Sequence, residues 1–129
     1  MMNTQQTICI AIVQNEAQQY LISRRQKGQH LAGKWEFPGG KLEQSEALEE
    51  AMKRELKEEV GLIATKFSLF ETLDFQYPDL ELTLHFFLVT QFDGKAESIE
   101  GQEIKWVSHS ELSDYDFPKA NKSVLNKLL

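Results

Sequence analysis

One helical segment among β-prone runs constrains the fold of this chain more than any other feature. Residues 45–60 carry apolar side chains at helical spacing, with Ser45 as the predicted N-cap and Glu46 in the predicted first turn. Gly61 stands where helices commonly end in the left-handed conformation. β-prone runs occupy residues 7–13, 20–23, 67–77, 80–92 and 103–107, and a second helical pattern covers residues 120–129. This order of elements predicts an α+β fold with one long central helix.

Length and composition exclude several classes of protein. The 129 residues fit one domain, residues 1–129, and the 41% hydrophobic and 26% charged content is that of a soluble globular chain. No apolar run reaches the roughly 18 residues of a membrane span, and the N-terminus lacks a signal-peptide pattern. The single cysteine, Cys9, excludes an internal disulfide, so we expect a reducing, cytoplasmic location. The net charge of −6 argues against direct nucleic-acid binding.

Three glutamates on the central helix point to a metal site. At about 100° per residue, Glu58 and Glu59 each fall within roughly 60° of Glu55, on or beside the apolar face. Partly buried like charges repel each other, and a divalent cation would remove that repulsion. Carboxylates without His or Cys suit a hard ion such as Mg²⁺, with Mn²⁺ as a substitute. The alternative is a run of good helix formers that happens to be acidic and solvated.

The spacing of residues around these glutamates resembles a known motif. Gly40, Glu46, the run 54–56, the pair 58–59 and the pair 61–62 match the fixed positions of the Nudix box. The resemblance implies a Nudix-type α/β/α sandwich, with a mixed β-sheet between helices, and a hydrolase of nucleoside diphosphate derivatives.

The same resemblance assigns roles to the residues of the box. Glu55, Glu58 and Glu59 correspond to metal ligands, together with the carbonyl oxygen of Gly39, which also contacts substrate. Arg54 corresponds to the residue that holds the carboxylates in place. Glu55 is the first candidate for the general base, because anhydride hydrolysis needs an activated water. Glu100 is the second candidate and a further metal ligand; the alternative for it is a solvated loop residue.

The resemblance continues beyond the box, along nearly the whole chain, to Nudix hydrolases that convert 8-oxo-dGTP to 8-oxo-dGMP and pyrophosphate. It implies that Asn121 reads the purine, although this residue could instead cap the final helix. Phe37 would line the nucleoside pocket, or simply pack in the core. Arg25 and His30, in a basic loop over residues 24–34, would contact the phosphates, and Asp79 would lie near the sugar; the alternative is a solvated surface.

Three alternatives to this function are open from the sequence. The substrate could be another nucleoside triphosphate, a dinucleotide or a capped RNA end. The chain could be a non-enzymatic Nudix-shaped binding module, although it keeps every box residue. It could also be an acidic helix in an unrelated α+β domain. We expect a monomer whose partner is a small nucleotide, and no membrane association.

Overall fold

Two β-sheets and the helices that flank them make up the computed structural model, which describes residues 4–29 and 31–128. The strands are β1 (Thr4–Val13), β2 (Gln19–Arg24), β3 (Trp35–Glu36), β4 (Gly39–Lys41), β5 (Ile63–Tyr77), β6 (Leu80–Asp93) and β7 (Ile104–Ser108). The helices are α1 (Leu48–Val60) and α2 (Lys122–Leu128), with 3₁₀ segments at His109–Asp114 and Lys119–Asn121. The predicted α+β class is therefore confirmed.

The larger sheet has the order β4-β1-β6-β5 and is mixed, as the resemblance implied. Its central strands β1 and β6 run parallel, from Thr4 opposite Leu80 to Val13 opposite Val89. The β1–β4 and β5–β6 pairs are antiparallel. The smaller sheet has the order β3-β2-β7 and is antiparallel throughout.

Alternate residues of β1 serve two separate cores, because successive side chains of a strand point to opposite faces. Cys9 and Ala11 pack with the buried face of α1, formed by Ala51, Met52, Leu56 and Val60. Ile10 and Ile12 pack on the other side, against Val124 of α2 and the segment around Leu112. Residues 80, 82, 84, 86 and 88 alternate along β6 and so share one face, which belongs to this second core or borders it. Helical layers thus cover both sides of the mixed sheet.

The end of α1 matches the prediction, and its start does not. Gly61 has φ 74°, and its N–H donates to the carbonyl of Lys57. Ser45 is not the N-cap: it has φ 65° in a turn, and the helix begins at Leu48. Glu46 also precedes the helix, because its side chain folds back to bind Arg54. In place of a side-chain cap, the Glu50 carboxylate accepts the N–H of Ala47 at 3.2 Å.

Candidate active site

Arg54 is the centre of a carboxylate network at the middle of α1. Its Nε and Nη2 donate to the two oxygens of Glu46 at 2.7 and 3.0 Å, a bidentate geometry. Nη1 donates to Glu55 at 2.8 Å and to Glu58 at 3.4 Å, and Nη2 also donates to the carbonyl of Lys41 at 3.1 Å. The hydrogen bond from Arg54 is the main cause that lowers the pKa of Glu46. A planar guanidinium can hold several carboxylates in this way, and an ammonium cannot.

Glu55 lies under the Gly40 backbone, with its side chain 17% exposed. A Cβ atom at Gly40 would stand 2.4 Å from the Glu55 carboxyl carbon, so glycine is needed for this close approach. Burial raises the pKa of Glu55, and Arg54 opposes that rise. The negative charges of Glu58 and Glu100 also act to raise the Glu55 pKa, so both interact electrostatically with Glu55.

Glu59 is the most strongly perturbed carboxylate of the group. Its Oε2 accepts the backbone N–H of Gly39 at 2.7 Å. Burial, followed by the charges of Glu36 and Glu55, raises the pKa of Glu59 to about 9. A group of this kind needs a positive partner to ionise at neutral pH.

Glu58 differs from the other two helix glutamates because its side chain is 54% exposed. Over the described ranges, 4–29 and 31–128, the His, Cys, Asp and Glu side chains do not form a ready-made cluster of three that could hold a metal. Arg54 and the Gly39 N–H hold the carboxylates instead. The donor set is nevertheless all-oxygen, acidic and partly buried, which fits a hard divalent cation.

The loop that carries Glu100 lies beside the C-terminal end of α1. The Gln102 side chain is buried there: its Nε2 donates to the carbonyl of Glu59 at 3.1 Å, and its Oε1 accepts the N–H of Glu100 at 3.1 Å. The charge of Glu100 adds to the rise in the pKa values of both Glu55 and Glu59, so this loop acid lies near enough to the helix carboxylates to influence them. The Glu100 side chain is itself exposed.

A cleft of about 500 Å³ extends from Glu59, the helix glutamate that lines it, to the 3₁₀ segment before α2. Its lining joins Glu59, Gly39 and Gly40 at one part to Asn121 and Phe37 at another. The remaining lining residues include Gln6, Ile8, Ile10, Leu31, Tyr77, Leu80, Leu82, Leu84, Pro118 and Ala120. Phe37 is buried against Phe117, with ring centroids 5.3 Å apart. The cleft therefore has an acidic part and an apolar part.

Asn121 is only 8% exposed, and it lies in the 3₁₀ segment that precedes α2. No side-chain hydrogen bond ties it to another residue within the described part of the chain, and it is not seen to cap a helix. Although the residue as a whole is largely buried, every buried side-chain nitrogen or oxygen atom of the described residues has a partner, so the unpartnered Asn121 amide must be accessible from the cleft. An amide in that position is available to a ligand.

Arg25 lines the same cleft, where its Nη1 donates to Glu36 Oε1 at 2.6 Å. Burial raises the pKa of Glu36, and Arg25 opposes that rise. His30 lies outside the described residues. Asp79 stands at the exposed turn between β5 and β6 and is not among the residues that line the cleft, although its neighbour Leu80 is.

Comparison with known proteins decides the family. Residues 9–127 match the model of the NUDIX domain. The chain belongs to the Nudix family. It is 46% identical to the 8-oxo-dGTP diphosphatase of Escherichia coli K12 over 94% of each chain, and 38% identical to the 8-oxo-dGTP diphosphatase of Haemophilus influenzae over 95% of this chain and 90% of that one. A solved structure from a study of MutT of Aliivibrio salmonicida and Vibrio cholerae superposes with a TM-score of 0.87, at 39% identity and 97% coverage of each chain.

Membership of the Nudix hydrolases makes this chain an enzyme of a family that generally requires a divalent metal. The Nudix box predicted from the sequence is thus the segment that carries Arg54 and its carboxylates. Within the described residues, the structure contains no helix that is long and apolar enough to cross a membrane.

Sequence reasoning missed two residues of this Nudix site. Glu36 is the partner of Arg25, and Gln102 joins the Glu100 loop to α1. A charged residue between two buried aromatics, Trp35 and Phe37, was a usable signal for Glu36, because buried charges are almost always paired. Gln102 gave no such signal, since its partner is 43 residues away in the sequence.

Proposed function

We propose that this chain hydrolyses 8-oxo-dGTP to 8-oxo-dGMP and pyrophosphate with Mg²⁺ as its cofactor, and so removes an oxidised nucleotide before it enters DNA. One observation carries the proposal: a single cleft joins the side chain of Asn121, which has no hydrogen-bond partner among the described residues, to Glu59 of the Nudix box. The similarity to proteins named 8-oxo-dGTP diphosphatase over nearly the whole chain supports the same substrate.

The residues proposed to hold the metal are Glu55, Glu58, Glu59, Glu100 and the carbonyl of Gly39. A divalent cation, Mg²⁺ or in its place Mn²⁺, supplies positive charge against the phosphate oxygens. The raised pKa of Glu59 supports this choice of ligands, because its carboxylate has no cation beside it among the described groups that shift its pKa. Glu58 can turn toward the site, since its exposed side chain has a contact of 3.4 Å to Arg54 and little packing.

The proposed reaction is the one that the family resemblance implies, with roles for this chain's own groups. Water attacks the β-phosphorus, the bond from that phosphorus to the α–β bridging oxygen breaks, and the bridging oxygen leaves with the monophosphate. Glu55 accepts the proton of the attacking water, and Arg54 orients Glu55 through the 2.8 Å hydrogen bond. Arg25 and His30 are proposed to bind the phosphates.

Recognition of the base is proposed to rest on Asn121 and Phe37. The Asn121 amide offers two donors and one acceptor to the purine edge. Phe37, buried at the apolar part of the cleft, provides a surface against which the base packs. Asp79 is proposed to approach the sugar from the β5–β6 turn.

The test is a turnover assay with Mg²⁺ that compares 8-oxo-dGTP with dGTP, which differ only at the oxidised position. We expect a much higher kcat/KM for 8-oxo-dGTP, with pyrophosphate and the monophosphate as products. Equal and slow use of both nucleotides would refute the sanitising role. Faster use of another nucleoside triphosphate in the same panel would reassign the substrate within the Nudix family.

We further propose that residues 1–129 act as one domain, as a monomer and in the cytoplasm. The buried, unbridged Cys9 is compatible with a reducing compartment. Light scattering during gel filtration should give the mass of one 14.9 kDa chain. A mass of twice that value would contradict the monomer.

A further inference from the structure

Gln102 is the buried polar residue that links the acidic loop to the metal-binding helix. It is 8% exposed and uses both ends of its amide. Nε2 donates to the carbonyl of Glu59 at 3.1 Å, and Oε1 accepts the N–H of Glu100 at 3.1 Å. The Ser98 hydroxyl lies 3.1 Å from the same Oε1 and donates to the backbone carbonyl of Gln102.

Glu100 depends on this link for its position. Its exposed carboxylate has no hydrogen-bond partner within the described part of the chain. The position of the Glu100 side chain therefore depends on how the Glu100 backbone is held. That backbone is held at the N–H by Gln102 and at the carbonyl by Gln26 Nε2, at 3.4 Å. Of these two bonds, the one to Gln102 is the shorter and the better buried.

The other tie of Gln102 ends at Glu59, one of the predicted metal ligands. One amide therefore links the backbone of Glu59 directly to the backbone of Glu100. Backbone bonds from Glu97 to Val60 and from Ile99 to Glu59 fix the loop before Glu100. Gln102 is the side chain that fixes it afterwards.

We propose that Gln102 is a positioning residue that holds the backbone of Glu100 against the C-terminal end of α1, so that the Glu100 carboxylate reaches the proposed metal site with little rearrangement. The inference rests on the proposed function, because it gives Glu100 a part in the reaction. Misplacement of a reacting group by about 1 Å can lower a rate by about 100-fold.

Two substitutions separate the ends of the amide. Gln102→Leu removes both hydrogen bonds at similar side-chain size. Gln102→Glu keeps an oxygen that can accept the Glu100 N–H and loses the donor to the Glu59 carbonyl. This second variant keeps the proposal testable if Gln102→Leu does not fold. The matched control is Gln91→Leu, at an exposed glutamine on β6 away from the cleft.

Steady-state kinetics with 8-oxo-dGTP and a double-mutant cycle test the proposal. We expect Gln102→Leu to lower kcat by about 10- to 100-fold with KM changed by less than about threefold. Gln102→Glu should fall between this variant and the wild type, and Gln91→Leu should match the wild type. In a Glu100→Gln background, Gln102→Leu should lower kcat by less than about twofold more, because both changes remove the same contribution.

Three outcomes would overturn the inference: full kcat in a folded Gln102→Leu variant, additive losses in the cycle, or full activity of Glu100→Gln. Amide hydrogen exchange provides a readout that does not need the substrate. We expect the Glu100 N–H to exchange faster in Gln102→Leu than in Gln91→Leu, and equal exchange would refute the positioning role. If the wild type leaves 8-oxo-dGTP intact, the proposed function fails, and the exchange result alone decides whether Gln102 holds the loop.

Discussion

Replacing Gly40 with alanine should remove activity while the fold survives. The new Cβ would stand 2.4 Å from the carboxyl carbon of Glu55, whereas carbon atoms in contact are about 3.5 Å apart or more. The Glu55 carboxylate would have to move by about 1.1 Å, away from its 2.8 Å contact with Arg54. A displacement of that size corresponds to about a 100-fold loss of kcat. Gly40 has no positive φ, so alanine does not strain the backbone there.

The neighbouring glycine provides the matched comparison. A Cβ at Gly39 would stand 2.5 Å from the carbonyl oxygen of Cys9 and 2.8 Å from the Cα of Ile10, both in the backbone of β1. Backbone atoms cannot swing aside as a carboxylate can, so the β1–β4 pairing must deform. Overpacking of this kind costs about 1–3 kcal/mol, which corresponds to a fall in Tm of roughly 3–12 °C for a chain of this size.

Thermal unfolding followed by circular dichroism and turnover of 8-oxo-dGTP would be measured on both variants. We expect Gly40→Ala to keep Tm within about 2 °C of the wild type and to lose activity, and Gly39→Ala to lose stability. Wild-type kcat in Gly40→Ala would refute the close-approach argument. An equal fall in Tm for both variants would show that the two glycines serve the strand pairing alone.

Three other predictions concern single side chains. Glu55→Gln should lower kcat by about 100- to 10,000-fold with Tm unchanged, because the amide cannot accept the proton of water. Steady-state kinetics measure kcat, and thermal unfolding followed by circular dichroism measures Tm. Asn121→Ala should reduce the ratio of kcat/KM for 8-oxo-dGTP to kcat/KM for dGTP by at least about tenfold, because the amide proposed to read the base is lost. Turnover assays on the nucleotide panel measure this ratio. Burial raises the pKa of the Cys9 thiol to about 11. A thiol is protonated below its pKa, so at pH 8 only about one folded molecule in a thousand carries the reactive thiolate. A colorimetric disulfide reagent should therefore label the folded chain far more slowly than the urea-unfolded chain.

Each of these has a clear contrary result. Full turnover in Glu55→Gln would remove the base assignment, with Glu50→Gln, on the exposed face of α1, as the control. An unchanged selectivity ratio in Asn121→Ala would mean that another group reads the purine. Equal labelling rates for folded and unfolded chain would mean that Cys9 is accessible in the native state.

Local sequence signals predicted the features that depend on one or two neighbouring residues. Gly61 ends α1 as predicted, because the left-handed conformation strongly favours glycine wherever the helix lies in the fold. Ser108 and Glu111 interact as their spacing of three residues indicates, with the Glu111 carboxylate accepting the Ser108 N–H at 3.1 Å. Such signals are complete within four residues, so tertiary contacts change them little.

Tertiary contacts decided the features that were predicted wrongly or missed. Ser45 lost its capping role because Glu46 is drawn to Arg54, eight residues away, and the intervening turn delays the helix to Leu48. β5 begins at Ile63 rather than at residue 67, because pairing with β6 extends through an irregular register at Lys66. Those pairing partners lie up to 30 residues apart along the chain, beyond the reach of local periodicity.

The candidate site divides in the same way. The spacing of the box predicted which glutamates share a helix with Arg54, since helical geometry fixes that relation. It did not predict that Glu58 is largely exposed while Glu59 is bound to the Gly39 N–H, because that difference arises from the packing of β4 on α1. The assignments of Asn121 and Arg25 came from resemblance to the family, and their roles toward a ligand stay predictions.

The parallel pairing of β1 with β6 has a consequence for synthesis of the chain. β1 is made first, yet its partner Val89 emerges 76 residues after Val13. At about 5–20 residues per second, the apolar side chains of β1 wait roughly 4–15 s on the ribosome without their central neighbour. The glycines of β4 pair with the opposite edge of the same strand, and that edge can be covered well before β6 has been made. The central parallel pair therefore forms late in synthesis, and a truncation before residue 89 leaves one edge of β1 exposed and prone to aggregation.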